Sequence, residues 1–311
     1  MSSASSLYPL LPKDCHNIRL RPDSQFTPYE LQDYVENHPN SVFVNEAMDY
    51  VIISNWKARS EIAEIIEVGS SLTFPPYSRF HYDGPSWAQR RIQLLKNIQT
   101  VLQTQGRDLV IASDQEARDH LLAYRDAGFH ELDHIFVYRR SHLHMPLPSY
   151  DNRLEIRALT STTISDLLQI EHESFPWLWW FAEEEWEFIQ LLADVETFLA
   201  YVDSNLIGYE SHTIHSQHGH LDRLAIRPQF QNQGWGRQLL RFALYRMHQL
   251  GVTTIGLSTQ ADNIRAQHLY EQHQFVRQNI DARIYGCVLS PTGAYYLDRY
   301  QGTRQADREH E

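Results

Sequence analysis

The segment richest in chemical possibility runs Leu224-Ala-Ile-Arg-Pro-Gln-Phe-Gln231-Asn-Gln-Gly234-Trp-Gly236-Arg237. An apolar run leads into a glycine-containing turn, and a helical apolar pattern follows at once. The first amides of a helix have no intrahelical acceptor and sit at the positive end of its dipole, so a turn of this kind receives phosphate oxygens. Gly234 and Gly236 allow close backbone approach to an anion and tolerate positive φ. Arg237 sets a cation beside the same anion. No Gly-Lys-Ser/Thr follows, so this is not that type of phosphate loop, and the third glycine of the dinucleotide fingerprint is missing. A second group of reactive types is His212, His215, His218 and His220, with Asp222 two residues further on. Histidine titrates near neutral pH and serves as a base directly or through water. The tract spans a hairpin end without fixed ligand spacing, so it reads as an exposed polar loop rather than a metal site. His142 and His144 read the same way. Cys15 and Cys287 lie far apart and support neither a zinc site nor a disulfide framework.

The elements that must position these groups alternate strand and helix. Leu154–Ala158 reads as a short strand and Ile164–Phe175 as a helix. Thr197–Asp203 and Leu206–Thr213 read as a hairpin, and His220–Ile226 as the strand entering the glycine turn. Gly236–Leu250 is amphipathic, with Leu239, Leu240, Phe242, Ala243, Met247 and Leu250 on one stripe, and Gly251 stops it. Val252–Ser258 is a strand, Asn263–His273 a helix, and Phe275–Val276 and Ala282–Val288 are extended. A mixed α/β sheet with helices on both faces follows. The first half ends in a similar order: a helix over Trp87–Gln105, a strand over Asp108–Ala112, a helix over Glu116–Asp126 and a strand over His134–Tyr138. Tyr124 to Phe129 and Tyr270 to Phe275 repeat an aromatic spacing at an offset of 146 residues, which suggests a tandem duplication.

The length, 311 residues, fits two domains at roughly 150 residues each. The expected layout is 1–140, a linker at 141–152 carrying Pro146 and Pro148, 153–290, and a polar tail at 291–311. Lys plus Arg is 27 against 39 Asp plus Glu, a net charge of −12, which disfavours nucleic acid or an anionic membrane as partner. No apolar run reaches the roughly 20 residues of a membrane helix. Met1–Leu11 lacks a basic n-region and a long apolar core, so a cytoplasmic location without a signal peptide is expected. Composition leaves the oligomeric state open.

Gln231-Asn-Gln-Gly234-Trp-Gly236 resembles the acetyl-CoA loop of the GNAT superfamily of N-acetyltransferases, Gln/Arg-x-x-Gly-x-Gly/Ala. The preceding Leu-Ala-Ile-Arg-Pro is similar to the family's fourth strand and its exit. Asn263-Ile-Arg-Ala266-Gln-His-Leu269-Tyr270-Glu-Gln-His-Gln-Phe275 resembles the family's Asn-x-x-Ala-x-x-Leu-Tyr-x-x-x-Gly-Phe, with Gln274 in place of the glycine. The resemblance covers roughly 154–288. It implies two tandem acyl-CoA N-acyltransferase domains, the N-terminal one degenerate, in a layout similar to mycothiol synthase. Around Tyr82-Asp-Gly84-Pro85 the first half has no Gln-x-x-Gly-x-Gly, so one cofactor site is expected.

The resemblance further implies that the backbone of Leu224, Ala225 and Ile226 holds the pantetheine arm of acetyl-CoA. Gln231, Asn232, Gln233, Gly234, Trp235, Gly236 and Arg237 would hold its pyrophosphate, Asn263 would touch the cofactor, and Tyr270 would be the general acid. His220 stands where several relatives carry a glutamate base, and Asp222 is the other candidate. No metal is implied. The expected reaction is acetyl transfer to a primary amine of a small molecule or peptide by direct attack in a ternary complex. A protein N-terminal amine or a mycothiol-type cysteinyl amine is the alternative substrate class, although Ser258 and His220 replace the glutamates those enzymes use. A non-catalytic acyl-CoA-binding or scaffold protein is the alternative function. Aromatic residues from Phe175 to Phe181 ahead of Glu183, Glu184, Glu185 and Glu187 suggest an acceptor entrance that favours a cation. Trp56 and Trp87 read as structural. Glu61, Glu64 and Glu67 are spaced to share a helix face over Ser60–Gly69.

Overall fold

A computed structural model describes residues 6–21, 24–70, 86–114, 118–141 and 150–298. The expected linker prolines, His142, His144, Tyr82 to Pro85, Glu116 and the tail from Gln301 lie outside these residues. Among the described residues the strands are β1 (Tyr8–Pro9), β2 (Val42–Val44), β3 (Asp49–Asn55), β4 (Ile62–Ser70), β5 (Leu109–Asp114), β6 (His130–Ser141), β7 (Glu155–Ala158), β8 (Val195–Val202), β9 (Asn205–His215), β10 (His218–Ile226), β11 (Thr254–Gln260) and β12 (Val276–Val288). The α-helices are α1 (Pro28–Asn37), α2 (Trp87–Thr104), α3 (Arg118–Asp126), α4 (Ile164–Ser174), α5 (Glu183–Ile189), α6 (Trp235–Gln249) and α7 (Ile264–Gln272).

The chain divides into two compact units, residues 1–133 with 283–295 and residues 134–282 with 296–311. In the first, the strand order is β1-β2-β3-β4-β5 and then the last part of β12; in the second it is β7-β8-β9-β10-β11 and then β6. Both follow one plan, antiparallel throughout except for one parallel pair, β4 with β5 and β10 with β11. Each sheet is completed by a strand from the other half of the sequence. Arg283–Val288 pairs with β5, and Ile135–Ser141 pairs with β11. The units therefore cut across the sequence halves 1–140 and 153–290.

In the second unit the predicted stripe of α6 is buried except for Leu250, which follows the last helical residue and is exposed. Leu240, Ala243, Leu244 and Met247 pack with Leu221, Ile255 and Leu257 of the sheet and with Tyr270 and Phe275. Ile164, Leu167 and Ile170 of α4, with Trp186 of α5, cover Leu199, Tyr209 and Ala225 on the other face. Each such side chain contributes about 1.5–3 kcal/mol by leaving water. Gly251 follows α6 with φ +83°, the left-handed conformation a helix stop needs.

The helix expected over Ser60–Gly69 is strand β4 instead. Its run of Ile62, Ile65, Ile66 and Val68 is rich in β-branched side chains, which favour a pleated surface, and this outweighs the three-residue spacing of the glutamates. Glu67 is buried and accepts hydrogen bonds from Tyr50 (2.6 Å) and Ser24 (2.6 Å). No helix of the described residues is long and apolar enough to cross a membrane.

Candidate active site

The parallel ladder of β10 and β11 is four residues long, from His218 opposite Thr254 to Leu221 opposite Leu257. There β10 bulges. Leu221 faces His212 of β9 and Arg223 faces the next residue back, Ser211, so Asp222 is the extra residue. A bulge bends and twists the strand that carries it. Past it, Leu224, Ala225 and Ile226 pair with β9 alone, and their other edge opens where β11 diverges. Gly208 permits this path, since a Cβ there would lie 2.3 Å from the Ala225 carbonyl oxygen.

The turn that follows leads straight to α6. After a 3-10 turn at Pro228–Phe230, Asn232 has φ +59° and Gly234 φ +86°, and Trp235 opens the helix with no side-chain cap. The amides of Trp235, Gly236 and Arg237 thus lack intrahelical acceptors. A Cβ on Gly234 would meet nothing within 4 Å, so the glycine answers to its backbone conformation and leaves open space. At Gly236 a Cβ would make only ordinary contacts with Ile226 and Leu269, at 3.8 and 3.9 Å.

Gln231 braces the turn. Its amide N–H donates to Pro228 (3.2 Å), its side chain donates to the Ile226 carbonyl (2.9 Å), and Arg265 donates to its side-chain oxygen (2.7 Å). The Trp235 ring is buried, 5.2 Å beneath the Arg153 guanidinium. Asn232, Gln233 and Arg237 are exposed, and Arg237 donates to Gln272 (3.1 Å). Asn263 caps α7, accepting from the Ala266 amide (3.1 Å).

Strand alternation sorts the reactive groups by face. Leu221, Ile255 and Leu257 point toward α6 and α7, so His220 and Gly256 point to the opposite face. His220 Nδ1 lies 2.7 Å from Asp222 Oδ1, and Thr213 Oγ1 donates to Asp222 Oδ2 (2.7 Å). The two candidate bases are therefore one hydrogen-bonded pair, anchored by a threonine. Thr213 went unremarked in the sequence. The available signal was its place in the strand opposite His220, with which it pairs directly.

Tyr270 lies on the α6 and α7 face, 7% exposed, edge-on to Phe275 at 5.9 Å and tilted against Tyr138 at 6.3 Å. Burial raises its phenol to about 12, so it keeps its proton at neutral pH. Among the described residues nothing hydrogen-bonds its hydroxyl.

The histidine tract is not one exposed loop. His215 and His218 are exposed at the hairpin end, but His212 is fully buried, with Nδ1 3.0 Å from Glu210 and Nε2 3.2 Å from Glu196. Burial opposes the charged imidazole, yet the two carboxylates raise its pKa above the ordinary histidine value, and burial raises that of Glu210. This network braces β8, β9 and α6, with Arg246 of α6 donating to Glu196 (2.8 Å). No metal-ligating group of three occurs among the described residues.

The aromatic segment is fixed from within. The Arg223 guanidinium sits 4.3 Å from the Phe175 ring and 4.0 Å from the Phe181 ring, donates to the Trp179 carbonyl (2.6 Å), and ion-pairs with the buried Glu171. Tyr209 donates to that same carboxylate. The two phenylalanines already hold a cation, one belonging to the protein. Trp186 is fully buried, whereas Glu183, Glu184 and Glu187 are exposed.

Residues 164–275 match the model of the "Acetyltransferase (GNAT) family". No curated protein matches the sequence. Among solved structures, a GCN5-related N-acetyltransferase from Sphaerobacter thermophilus is 14% identical, covers 94% of this chain and 98% of its own, and superposes with a TM-score of 0.61. A tandem GNAT protein from the clavulanic acid biosynthesis pathway is 11% identical, with coverage of 92% and 99% and a TM-score of 0.57. A GCN5-related N-acetyltransferase from Anabaena variabilis is 11% identical, with coverage of 91% and 71% and a TM-score of 0.59. At these identities the likeness is one of fold. Residues 164–275 thus match the model of this acetyltransferase family, and the fold is shared along nearly the whole length of the chain with a tandem GNAT protein.

Proposed function

We propose that the chain transfers an acetyl group from acetyl-CoA to a primary amine by direct attack, in the second unit. The observation that carries this is the conjunction at β10: an opened strand edge, a histidine–aspartate pair at the bulge, and an uncapped helix N-terminus one turn beyond. The turn fits a diphosphate, because Gly234 is left-handed with free space around it and the first amides of α6 have no cap. Amides of Gly234 to Gly236, with Arg237, would hold the pyrophosphate, and the open edge of Leu224 to Ile226 the pantetheine arm. Gln231 and Asn263 support this reading as braces of the turn and of α7. When bound, acetyl-CoA supplies an acetyl group activated as a thioester.

The remaining chemistry belongs to side chains. Asp222 accepts from His220 Nδ1–H, which fixes the tautomer and leaves Nε2 free to take the amine proton. The amine nitrogen forms its bond to the acetyl carbon as the carbon–sulfur bond breaks. Tyr270 keeps its hydrogen at neutral pH and donates it toward the departing sulfur from the opposite face of the sheet. Thr213 holds Asp222 in place.

Calorimetric titration with acetyl-CoA, followed by CoA release against a panel of amines, tests the reading. One site per chain, with release that falls at least about 100-fold in His220→Ala at unchanged acetyl-CoA affinity, is expected for a general base. Binding without release for any amine would favour a non-catalytic acyl-CoA-binding module; absence of binding would remove both readings.

A further inference from the structure

Four neighbouring strands of the second unit place one row of residues on the face that carries His220. Arg139 of β6 is opposite Gly256 of β11, Gly256 is opposite His220 of β10, and His220 is opposite Thr213 of β9. The facing of Arg139 is settled by its neighbours. Tyr138 packs in the α6 and α7 core and Arg140 donates to the His273 carbonyl (2.9 Å), so Arg139 points the other way. Gly256 contributes no side chain. A Cβ there would lie 3.3 Å from His220 Cδ2, so the imidazole leans over the glycine toward β6. The result is a slot floored by Gly256, with the His220 imidazole on one wall and the Arg139 guanidinium on the other. At about 4.8 Å per strand, the backbones of the two walls are about 10 Å apart. Arg139 and His220 are exposed, and among the described residues no carboxylate pairs with Arg139. By contrast, Arg223, Arg227 and Arg246 of the same unit each pair with a glutamate.

We infer that the acceptor is a small amino acid: its amine meets His220 while its carboxylate is held by Arg139 across Gly256. This rests on the acetyl-transfer reading. A guanidinium matches a carboxylate in bidentate fashion, and a base and a cation on either side of a single intervening strand suit a molecule that carries both an amine and a carboxylate. It also explains why the cage of Phe175 and Phe181 is closed by Arg223 and not offered to a cationic substrate. The product is an N-acetyl amino acid, the negative charge of which stays on Arg139 throughout. Acetylation removes only the amine's basicity.

The test compares the common amino acids with their carboxamides, which keep the amine and lose the anion. With saturating acetyl-CoA, the preferred acid is expected to exceed its amide at least about 10-fold in kcat/KM, chiefly through KM. Arg139→Gln is expected to erase that ratio, with acetyl-CoA affinity unchanged, and Arg139→Lys to restore part of it. Calorimetry of the corresponding N-acetyl amino acid against the CoA complex supplies a readout that does not depend on turnover, and should lose affinity in Arg139→Gln. Equal use of acid and amide, or use of simple amines with none of the acids, overturns the inference and leaves acetyl transfer standing. Failure of acetyl-CoA to bind overturns the acetyl-transfer reading itself.

Discussion

The two units repeat one scaffold down to its irregularities, and they differ where chemistry would occur. Each parallel ladder is four residues long, Ile62–Ile65 on β5 and His218–Leu221 on β11, and each ends in a bulge on the same strand. In the first unit the bulged residue is Ile66; in the second it is Asp222. The helix ends also match. Phe129 N–H donates to Tyr124 (3.0 Å) and Phe275 N–H to Tyr270 (3.1 Å), with left-handed Gly128 (φ +91°) and Gln274 (φ +65°) in between. The helix starts do not match. Ser86 accepts from the Gln89 amide and the Gln89 side chain accepts from the Ser86 amide, closing the N-terminus of α2 with a capping box, while α6 begins uncapped after Gly234. The scaffold is thus held by backbone pairing and core packing, and the units differ in whether a side chain caps the helix start where the anion site is proposed.

That contrast can be broken most severely by separating the halves. Residues 153–290 expressed alone lack β6, leaving β11 with an unpaired edge and an incomplete core. The expected outcome is no cooperative unfolding transition by calorimetry, against a clear one for the full chain. Next, Gly234→Val should weaken acetyl-CoA binding at least about 100-fold, because a β-branched residue resists positive φ and would fill the open space proposed for the pyrophosphate. Ser86→Ala, its counterpart in α2, should leave that affinity alone and cost about 1 kcal/mol of stability. Changing the paired tyrosines comes third. Tyr270→Phe should lower kcat at least about 10-fold with acetyl-CoA affinity retained, whereas Tyr124→Phe should leave kcat unchanged. The smallest effect is at the helix ends, where Gln274→Gly should raise stability by about 1 kcal/mol and Gly128→Gln lower it by a similar amount. Thermal unfolding of both variants checks the sign.

Much of the second unit was legible in the chain. Glycine punctuation and the stripe on α6 located β10, α6, β11 and α7 to within two residues or so, because those signals are local. The strand exchange was not legible, since β6 and β12 carry similar extended patterns and only distant partners decide which sheet each one joins. β4 was misread because three glutamates at helical spacing masked an isoleucine-rich strand. Around the site, His220 and Asp222 stood out as types two residues apart. The hydrogen bond joining them depends on the bulge, which no residue type announces. Nothing local tied Arg139 to the site; its neighbours on β11 lie more than a hundred residues away.

The exchange of closing strands bears on how the chain is made. β5 waits for Arg283–Val288, so the first unit cannot complete its sheet until residue 288 has left the ribosome. The half synthesised first is therefore not the half finished first. The second unit has β6 in hand before β11 emerges and can close as soon as β11 and α7 are out. During translation the early half must persist with an open edge, at risk of joining a strand from another nascent chain.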